Sequence, residues 1–206
     1  MADIDLYLDP VCPFAWVTSR WLLDAAGDGP HRVRPRQMSL AVLNEGRDVD
    51  ADHQAMIDRS RRIGRLFAAA VDTAGPTAFA RLYETLGARM HVHRDDIGPA
   101  VLVESLTEAG LDPDLAERQD DADLDPVVSR AHQAGQDALG GPGGSPIIVI
   151  DGHGFLGPVL TRTPPPQHGP ALLDAIITAV TTPGFAALQR PYQGPPTIDR
   201  TAEAGR

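Results

Sequence analysis

One residue of this chain has the chemistry of a nucleophile and a setting that would use it: Cys12, the sole cysteine among 206 residues. It lies in the run Asp9-Pro-Val-Cys-Pro-Phe-Ala-Trp16, where a strand is predicted to end and a helix to begin. Free N–H groups and the dipole at a helix N-terminus stabilise a thiolate, so we expect Cys12 to be activated. Redox sites that close an internal disulfide have the pattern C-x-x-C, but Ala15 occupies the second position here. Cys12 therefore has no disulfide partner within its own chain.

The elements predicted around Cys12 form a β-α-β unit. Residues 4–8 alternate in hydrophobicity and are rich in β-formers, which predicts a strand. Residues 13–26 have apolar side chains at helical spacing, and the proline at their start suits a first helical turn, where its missing N–H costs little. Residues 31–40 predict a second strand, joined in parallel to the first by a right-handed crossover.

A long helical stretch separates this unit from a second group of strands. Residues 48–139 contain apolar stripes at helical spacing and no convincing strand, so they predict an all-helical insertion. After a glycine-rich break, the predicted elements are a buried strand at 147–150, a returning hairpin strand at 155–157 and a helix at 171–180. The order is that of an α/β, thioredoxin-like fold with a helical insertion between the second and third strands. The predicted boundaries are 1–46 and 141–190 for the thioredoxin-like domain, 47–140 for the inserted helical domain and 191–206 for an extended or poorly ordered tail.

Four stretches are more specific in combination than any one of them alone. They are Asp9-Pro-Val-Cys-Pro-Phe-Ala-Trp16 with Ser19-Arg20-Trp21, Met38-Ser-Leu-Ala-Val-Leu-Asn-Glu45, Ser145-Pro146 and Phe155-Leu-Gly-Pro-Val-Leu160. Together they resemble the DsbA family of thioredoxin-fold proteins, whose helical domain is inserted at the same place. The resemblance is closer to the actinobacterial branch that includes mycothiol-dependent nitroreductases. Dithiol members of that branch have a cysteine where this chain has Ala15, so the resemblance supports a small-thiol partner better than disulfide formation.

The resemblance implies a site at the start of the first helix. The nucleophilic cysteine of thioredoxin-like proteins faces a proline that opens the third strand, and Ser145-Pro146 is expected to supply it through a cis peptide bond. Cys12 is the expected catalytic residue. The expected substrate-binding residues are Pro13, Phe14, Trp16, Asn44, His91, Ser145 and Pro146. The implied co-substrate is mycothiol or another low-molecular-weight thiol, with no tightly bound cofactor.

Several of these residues have a structural alternative. Trp16 would equally serve as a core residue, and Asn44 as a turn residue that caps the segment after the second strand. His91 could act as a general acid or base. His91 and His93 are two residues apart, which would put them on different faces of a helix, so we expect no metal site.

Three functions remain open from the sequence. The first, which we favour, is a monothiol oxidoreductase in which Cys12 reacts with a small thiol and an electrophilic or reducible small molecule. The second is a cis-trans isomerase: the Cys12 thiolate adds to a conjugated alkene, which rotates and is released, and the helical insertion covers an apolar pocket. The third is a non-catalytic thioredoxin-like binding module.

Composition narrows the class of partner. The formal net charge of −10 argues against nucleic-acid binding, which needs a basic surface. No stretch approaches the roughly 18–20 consecutive apolar residues of a membrane span. The N-terminus has no basic segment followed by a long apolar one, so we expect a cytoplasmic location, which a lone cysteine fits. We expect a monomer or homodimer that acts on a small molecule, without nucleic-acid or membrane partners.

Overall fold

A four-stranded mixed sheet supports the segment that contains Cys12. The computed structural model describes residues 1–198, and its strands are β1 (Asp3–Leu8), β2 (Arg32–Gln37), β3 (Ile147–Ile150) and β4 (His153–Leu156). The strand order is β2-β1-β3-β4, with β1 parallel to β2 and antiparallel to β3, and β3 antiparallel to β4. This is the predicted combination of a β-α-β unit and a hairpin, with β1 buried between the two.

The helices follow the predicted order. They are α1 (Pro13–Ala26), α2 (Leu40–Leu43), α3 (Ala51–Ala74), α4 (Thr77–Gly87), α5 (Pro99–Glu108), α6 (Asp125–Leu139) and α7 (Gly169–Thr181). A π-helical turn, Ala88–His93, continues α4, and short 3-10 turns occur at Pro113–Asp120, Ala122–Leu124 and Pro166–His168. Between β2 and β3 the described chain has only helical elements and connections, as expected for the insertion. No helix within residues 1–198 is long and apolar enough to cross a membrane.

The second strand is shorter than predicted. The strand was expected over residues 31–40, but β2 ends at Gln37. The chain turns there, because Ser39 caps the start of α2. The Ser39 hydroxyl accepts a hydrogen bond from the Val42 N–H at 3.2 Å, which satisfies a free donor of the first helical turn. Leu40, predicted as strand, is consequently the first residue of a helix. A short apolar pattern did not distinguish these two outcomes.

The second hairpin strand lies two residues earlier than predicted at its start. The tight turn uses Asp151 and Gly152, both with positive φ (49° and 85°), so β4 begins immediately at His153. Gly157, expected in the strand, pairs with Ile147 only through an isolated bridge. Of the predicted tail, 191–198 has no helix or strand, and 199–206 lies outside the described residues.

Helix α1 packs into the core on both sides. The fully buried Leu6 and Leu8 of β1 belong to the same apolar cluster as Trp16 and Trp21 of α1. Gly87, the last residue of α4, lies directly against the Trp16 ring, so closely that a Cβ there would overlap it. The missing side chain of Gly87 therefore sets how near α4 approaches α1.

We expect Gly87→Ala to lower the free energy of unfolding by about 1–3 kcal/mol, since the added methyl must displace a buried indole. Gly141→Ala is the matched control, because no atom lies within 4 Å of its added Cβ. Urea unfolding followed by tryptophan fluorescence measures both. Equal stability of the two variants would contradict this account of α1–α4 packing.

Candidate active site around Cys12

Cys12 immediately precedes α1 and faces the loop that leads into β3. Its backbone is extended (φ −77°, ψ 114°) and Pro13 is the first helical residue, as predicted. The Ser145–Pro146 peptide bond is cis, also as expected. The Cys12 Sγ lies 3.4 Å from the Ser145 carbonyl oxygen, to which the thiol donates a hydrogen bond. The structure thus brings together Cys12, Pro13, Ser145 and Pro146.

Two opposing effects act on the pKa of the Cys12 thiol, and their net direction is upward. Burial is the main reason that its pKa is raised, because only 6% of the residue is exposed. The backbone N–H groups of Ala15 and Phe14 act in the opposite direction, as the helix argument requires, while the charge of Asp9 raises the pKa further. The helix terminus does stabilise the thiolate, but desolvation has the larger effect.

Asp9 connects the segments that surround the thiol. Its completely buried carboxylate accepts hydrogen bonds from the N–H of Val11 (2.8 Å), the N–H of Leu40 (2.6 Å) and the hydroxyl of Ser60 (2.5 Å). Its own N–H donates to the Ser145 Oγ at 2.9 Å. Burial raises the pKa of Asp9, and these three donors oppose that shift by stabilising the charged form.

The sequence analysis quoted Asp9 but assigned it no role. Its position at a strand end before proline was the available signal, since aspartate there often accepts from the N–H two residues later, here that of Val11. The donors from α2 and α3 could not have been found this way, because they lie 31 and 51 residues further along the chain.

His91 holds the backbone before Cys12. Its Nε2 donates to the Pro10 carbonyl at 2.8 Å, and its ring stacks on Trp16 with centroids 5.4 Å apart. Burial lowers the pKa of His91 to about 4, so the imidazole is neutral at pH 7. A neutral ring whose N–H is already bound to a carbonyl does not fit the hypothesis of a general acid.

The surroundings of Trp16 and Asn44 are those of the structural roles that the sequence offered as alternatives, a core residue and a turn residue. Trp16 is 2% exposed and packs on Tyr83 as well as His91, so it is a core residue. Asn44 ends α2, and its Nδ2 donates to the Leu40 carbonyl at 2.8 Å. The N–H of the same Leu40 donates to the Asp9 carboxylate, so Leu40 links Asn44 to Asp9.

Phe14 lies beside a residue that the sequence analysis did not select. Its half-buried ring meets the ring of Tyr192 edge-on, with centroids 5.3 Å apart and an interplanar angle of 61°. Tyr192 belongs to the predicted tail, where apolar periodicity is lacking and no pattern indicated a contact.

A cavity of about 550 Å³ lies along α1 but does not include Cys12 among its lining residues. Residues 162–166 line it, together with six α1 residues: Trp16, Val17, Arg20, Trp21, Asp24 and Ala25. Among the helices of the insertion, only the π-helical turn contributes, through Val92, so this cavity does not lie beneath the insertion. A second cavity of about 340 Å³ does lie between the sheet and helices α3, α4 and α6, and Cys12 is not among its lining residues either. Residues 1–198 contain no cluster of three or more histidine, cysteine, aspartate or glutamate side chains that could hold a metal ion.

Comparisons with known proteins give a consistent picture of the fold. Residues 11–190 match the model of the Rv2466c-like family, described as mycothiol-dependent nitroreductase Rv2466c. An uncharacterized protein of Mycobacterium tuberculosis, Rv2286c, is 28% identical over 211 residues, covering 98% of this chain and 87% of that protein. The crystal structure of a "probable DsbA oxidoreductase" from Streptomyces coelicolor superposes with a TM-score of 0.58 at 16% identity, over 92% of this chain and 100% of the other. A 2-hydroxychromene-2-carboxylate isomerase superposes with a TM-score of 0.55 at 14% identity, over 84% of this chain and 94% of the other. These structures confirm the thioredoxin-like, DsbA-like fold.

Asp9→Asn should move the pH profile of Cys12 alkylation to lower pH, because the carboxylate charge raises the Cys12 pKa. The amide also turns one acceptor into a donor opposite existing donors, so the free energy of unfolding should fall by about 2–4 kcal/mol. Iodoacetamide labelling between about pH 6 and pH 10, the range in which thiols ionise, measures the shift of the alkylation profile. Ser60→Ala is the control, since it removes one hydrogen bond and leaves the charge. A folded Asp9→Asn with an unshifted profile would show that Asp9 does not act on the thiol.

His91 should make the fold less stable in acid. Its folded pKa of about 4 lies below its ordinary 6.5, so the unfolded chain takes up a proton first as the pH falls between these values. The resulting loss of stability is about 3 kcal/mol and is complete near pH 4, with no contribution above about pH 7. His91→Gln keeps an N–H donor for Pro10 and does not titrate, so urea unfolding should depend less on pH in this variant. Exposed His93→Gln is the control, and an equal effect of both substitutions would refute the assignment.

Proposed function

This chain belongs to the Rv2466c-like family of mycothiol-dependent nitroreductases, and from that premise we propose that it is a thiol-dependent oxidoreductase acting through Cys12. The observation that carries the proposal is the position of the chain's sole cysteine. Its Sγ lies between the first N–H groups of α1 and the Ser145 carbonyl, next to the cis Ser145–Pro146 bond. The co-substrate is a low-molecular-weight thiol, with mycothiol the candidate that the family name supports.

The reaction needs two thiol molecules from outside the chain for each two-electron reduction. For a nitroarene, Cys12 and one small thiol together lose two electrons and two protons, which convert the nitro group to a nitroso group and water. The sulfur atoms are joined as a Cys12 mixed disulfide. A second small thiol attacks this bond, releases a symmetrical small-molecule disulfide and returns Cys12 to its thiol form. Ala15 makes the second external thiol necessary, since no resolving cysteine exists in the chain.

The residues around the thiol have separable proposed roles. Phe14, Ser145 and Pro146 contact the substrate, with the Ser145 carbonyl accepting the resting thiol proton. Pro13 begins the helix whose next N–H groups stabilise the thiolate when it forms. Trp16, Asn44 and His91 act through other groups: His91 by its bond to Pro10, Trp16 by stacking on His91 and Asn44 by its bond to Leu40.

A covalent isomerase is the second candidate, favoured by the same single cysteine. Addition of the Cys12 thiolate to an activated alkene, rotation about the resulting single bond and elimination of the thiolate require no second thiol. The cycle has no net redox change and consumes no co-substrate. The two candidates therefore differ in whether a reductant is required for turnover.

Cys12→Ser should abolish activity in either case, with a rate loss of at least about 10³-fold, because a serine hydroxyl is a far weaker nucleophile at neutral pH. Intact mass spectrometry of the wild type with mycothiol and a nitroarene should show one mycothiol joined through Cys12. Nitroarene consumption should require mycothiol in stoichiometric amounts. Full turnover by Cys12→Ser would contradict both Cys12-dependent mechanisms, while alkene isomerisation without reductant would favour the second candidate.

Ala15→Cys tests the geometry of the same site. A cysteine there restores the C-x-x-C spacing, so the variant should form a 12–15 disulfide under mild oxidation and lose the mixed disulfide with mycothiol. Ala15→Ser is the size-matched control, which should keep the mixed disulfide. If Ala15→Cys stays reduced while wild-type Cys12 oxidises, the proposed redox geometry is wrong.

A further inference from the structure

The chain after α7 returns to the start of α1. This C-terminal segment, residues 182–198, has no helix or strand, yet it contacts the folded body. The Phe185 ring stacks on Phe155 of β4, with centroids 5.8 Å apart and an interplanar angle of 16°. Further along, the Thr197 N–H donates to the Thr161 carbonyl at 2.8 Å. Between these two anchors, Tyr192 meets Phe14.

The two anchors give Tyr192 a defined place. Phe185 fixes the segment seven residues before Tyr192, and Thr197 fixes it five residues after. Ile198 packs against the apolar core and lines the cavity along α1. A span held at both ends restricts where the Tyr192 ring can move, so its contact with Phe14 is part of the fold.

The Phe14–Tyr192 pair adds an aromatic surface at the first turn of α1, where the Phe14 N–H stabilises the Cys12 thiolate. Phe14 follows Cys12 by two residues and is half-buried, while Tyr192 is 46% exposed. Edge-on packing leaves ring faces open, and an additional planar ring gains about 0.5–1.5 kcal/mol by stacking on such a face. Tyr192 also lies outside the segment 11–190 that matches the family model. This chain therefore has an aromatic side chain against Phe14 that the matched region does not supply.

We propose that Tyr192 determines specificity: with Phe14 it forms an aromatic surface beside Cys12 that selects planar aromatic or conjugated electrophiles. The inference rests on the proposed function in that Cys12 must be the reacting group. It adds a specificity-determining residue from the C-terminal segment. Small aliphatic electrophiles would reach the same sulfur without gaining from Tyr192.

Two maleimides test this without any assumption about turnover. N-phenylmaleimide and N-ethylmaleimide alkylate a thiol by the same addition and differ in one planar ring. The ratio of their rates on wild-type Cys12, normalised to free cysteine, should favour the phenyl compound. Tyr192→Ala should reduce that ratio about threefold to tenfold, the change expected from losing one ring contact. Tyr192→Phe should keep it, because the ring and not the hydroxyl makes the contact.

Leu188→Ala is the matched control, since Leu188 lies on the same segment, is 91% exposed and is not part of a ring pair. It should leave the ratio unchanged. An unchanged ratio in Tyr192→Ala would overturn the proposal, and so would an equal acceleration of both reagents, which would mean that the segment only covers the thiol. Nitroarene turnover is measured separately with mycothiol. Its absence alongside a normal maleimide ratio would reject the oxidoreductase and leave the aromatic surface intact.

Discussion

A single buried carboxylate, that of Asp9, connects the parts of this protein that must meet at the thiol. The carboxylate accepts from the turn before α1, the start of α2 and helix α3, and the Asp9 N–H donates to Ser145 in the loop that opens β3. Burying a charge without such partners would cost several kcal/mol, so the fold tolerates Asp9 only when all these segments are in place. The position of Cys12 relative to Ser145 is thereby linked to the packing of the helical insertion.

The same burial sets the chemistry of the nucleophile. The helix start favours the thiolate of Cys12, but desolvation and the charge of Asp9 raise the pKa of the thiol. The thiol donates a hydrogen bond to the Ser145 carbonyl. Because the thiolate is the reactive form, a substrate or small thiol that changes the solvation of the sulfur also changes its reactivity. A raised pKa slows unwanted alkylation and oxidation, which both require the thiolate.

The sequence predicted the scaffold well because the scaffold depends on local patterns. The topology followed from strand alternation, helical spacing and the glycine break near residue 140. The two sides of the site followed from the Cys-Pro and Ser-Pro dipeptides. The failures involve contacts distant in sequence. Leu40 was predicted as strand, whereas the Asp9 carboxylate and the Ser39 cap make it the start of a helix. The raised Cys12 pKa depends on burial by the whole fold, which no local motif encodes.

Ala15 has a consequence that becomes clear only with the structure. In a C-x-x-C site the resolving thiol attacks from within the first turn of the helix. Here that position is a fully buried methyl group, so the approach from inside is closed. Any thiol that resolves a Cys12 adduct must come from the solvent side, where the substrate also has to enter. The substrate and the resolving thiol need the same side of one sulfur atom, so they must react with it one after the other. The proposed reductase should therefore follow ping-pong kinetics, with the mixed disulfide as the intermediate between the two half-reactions.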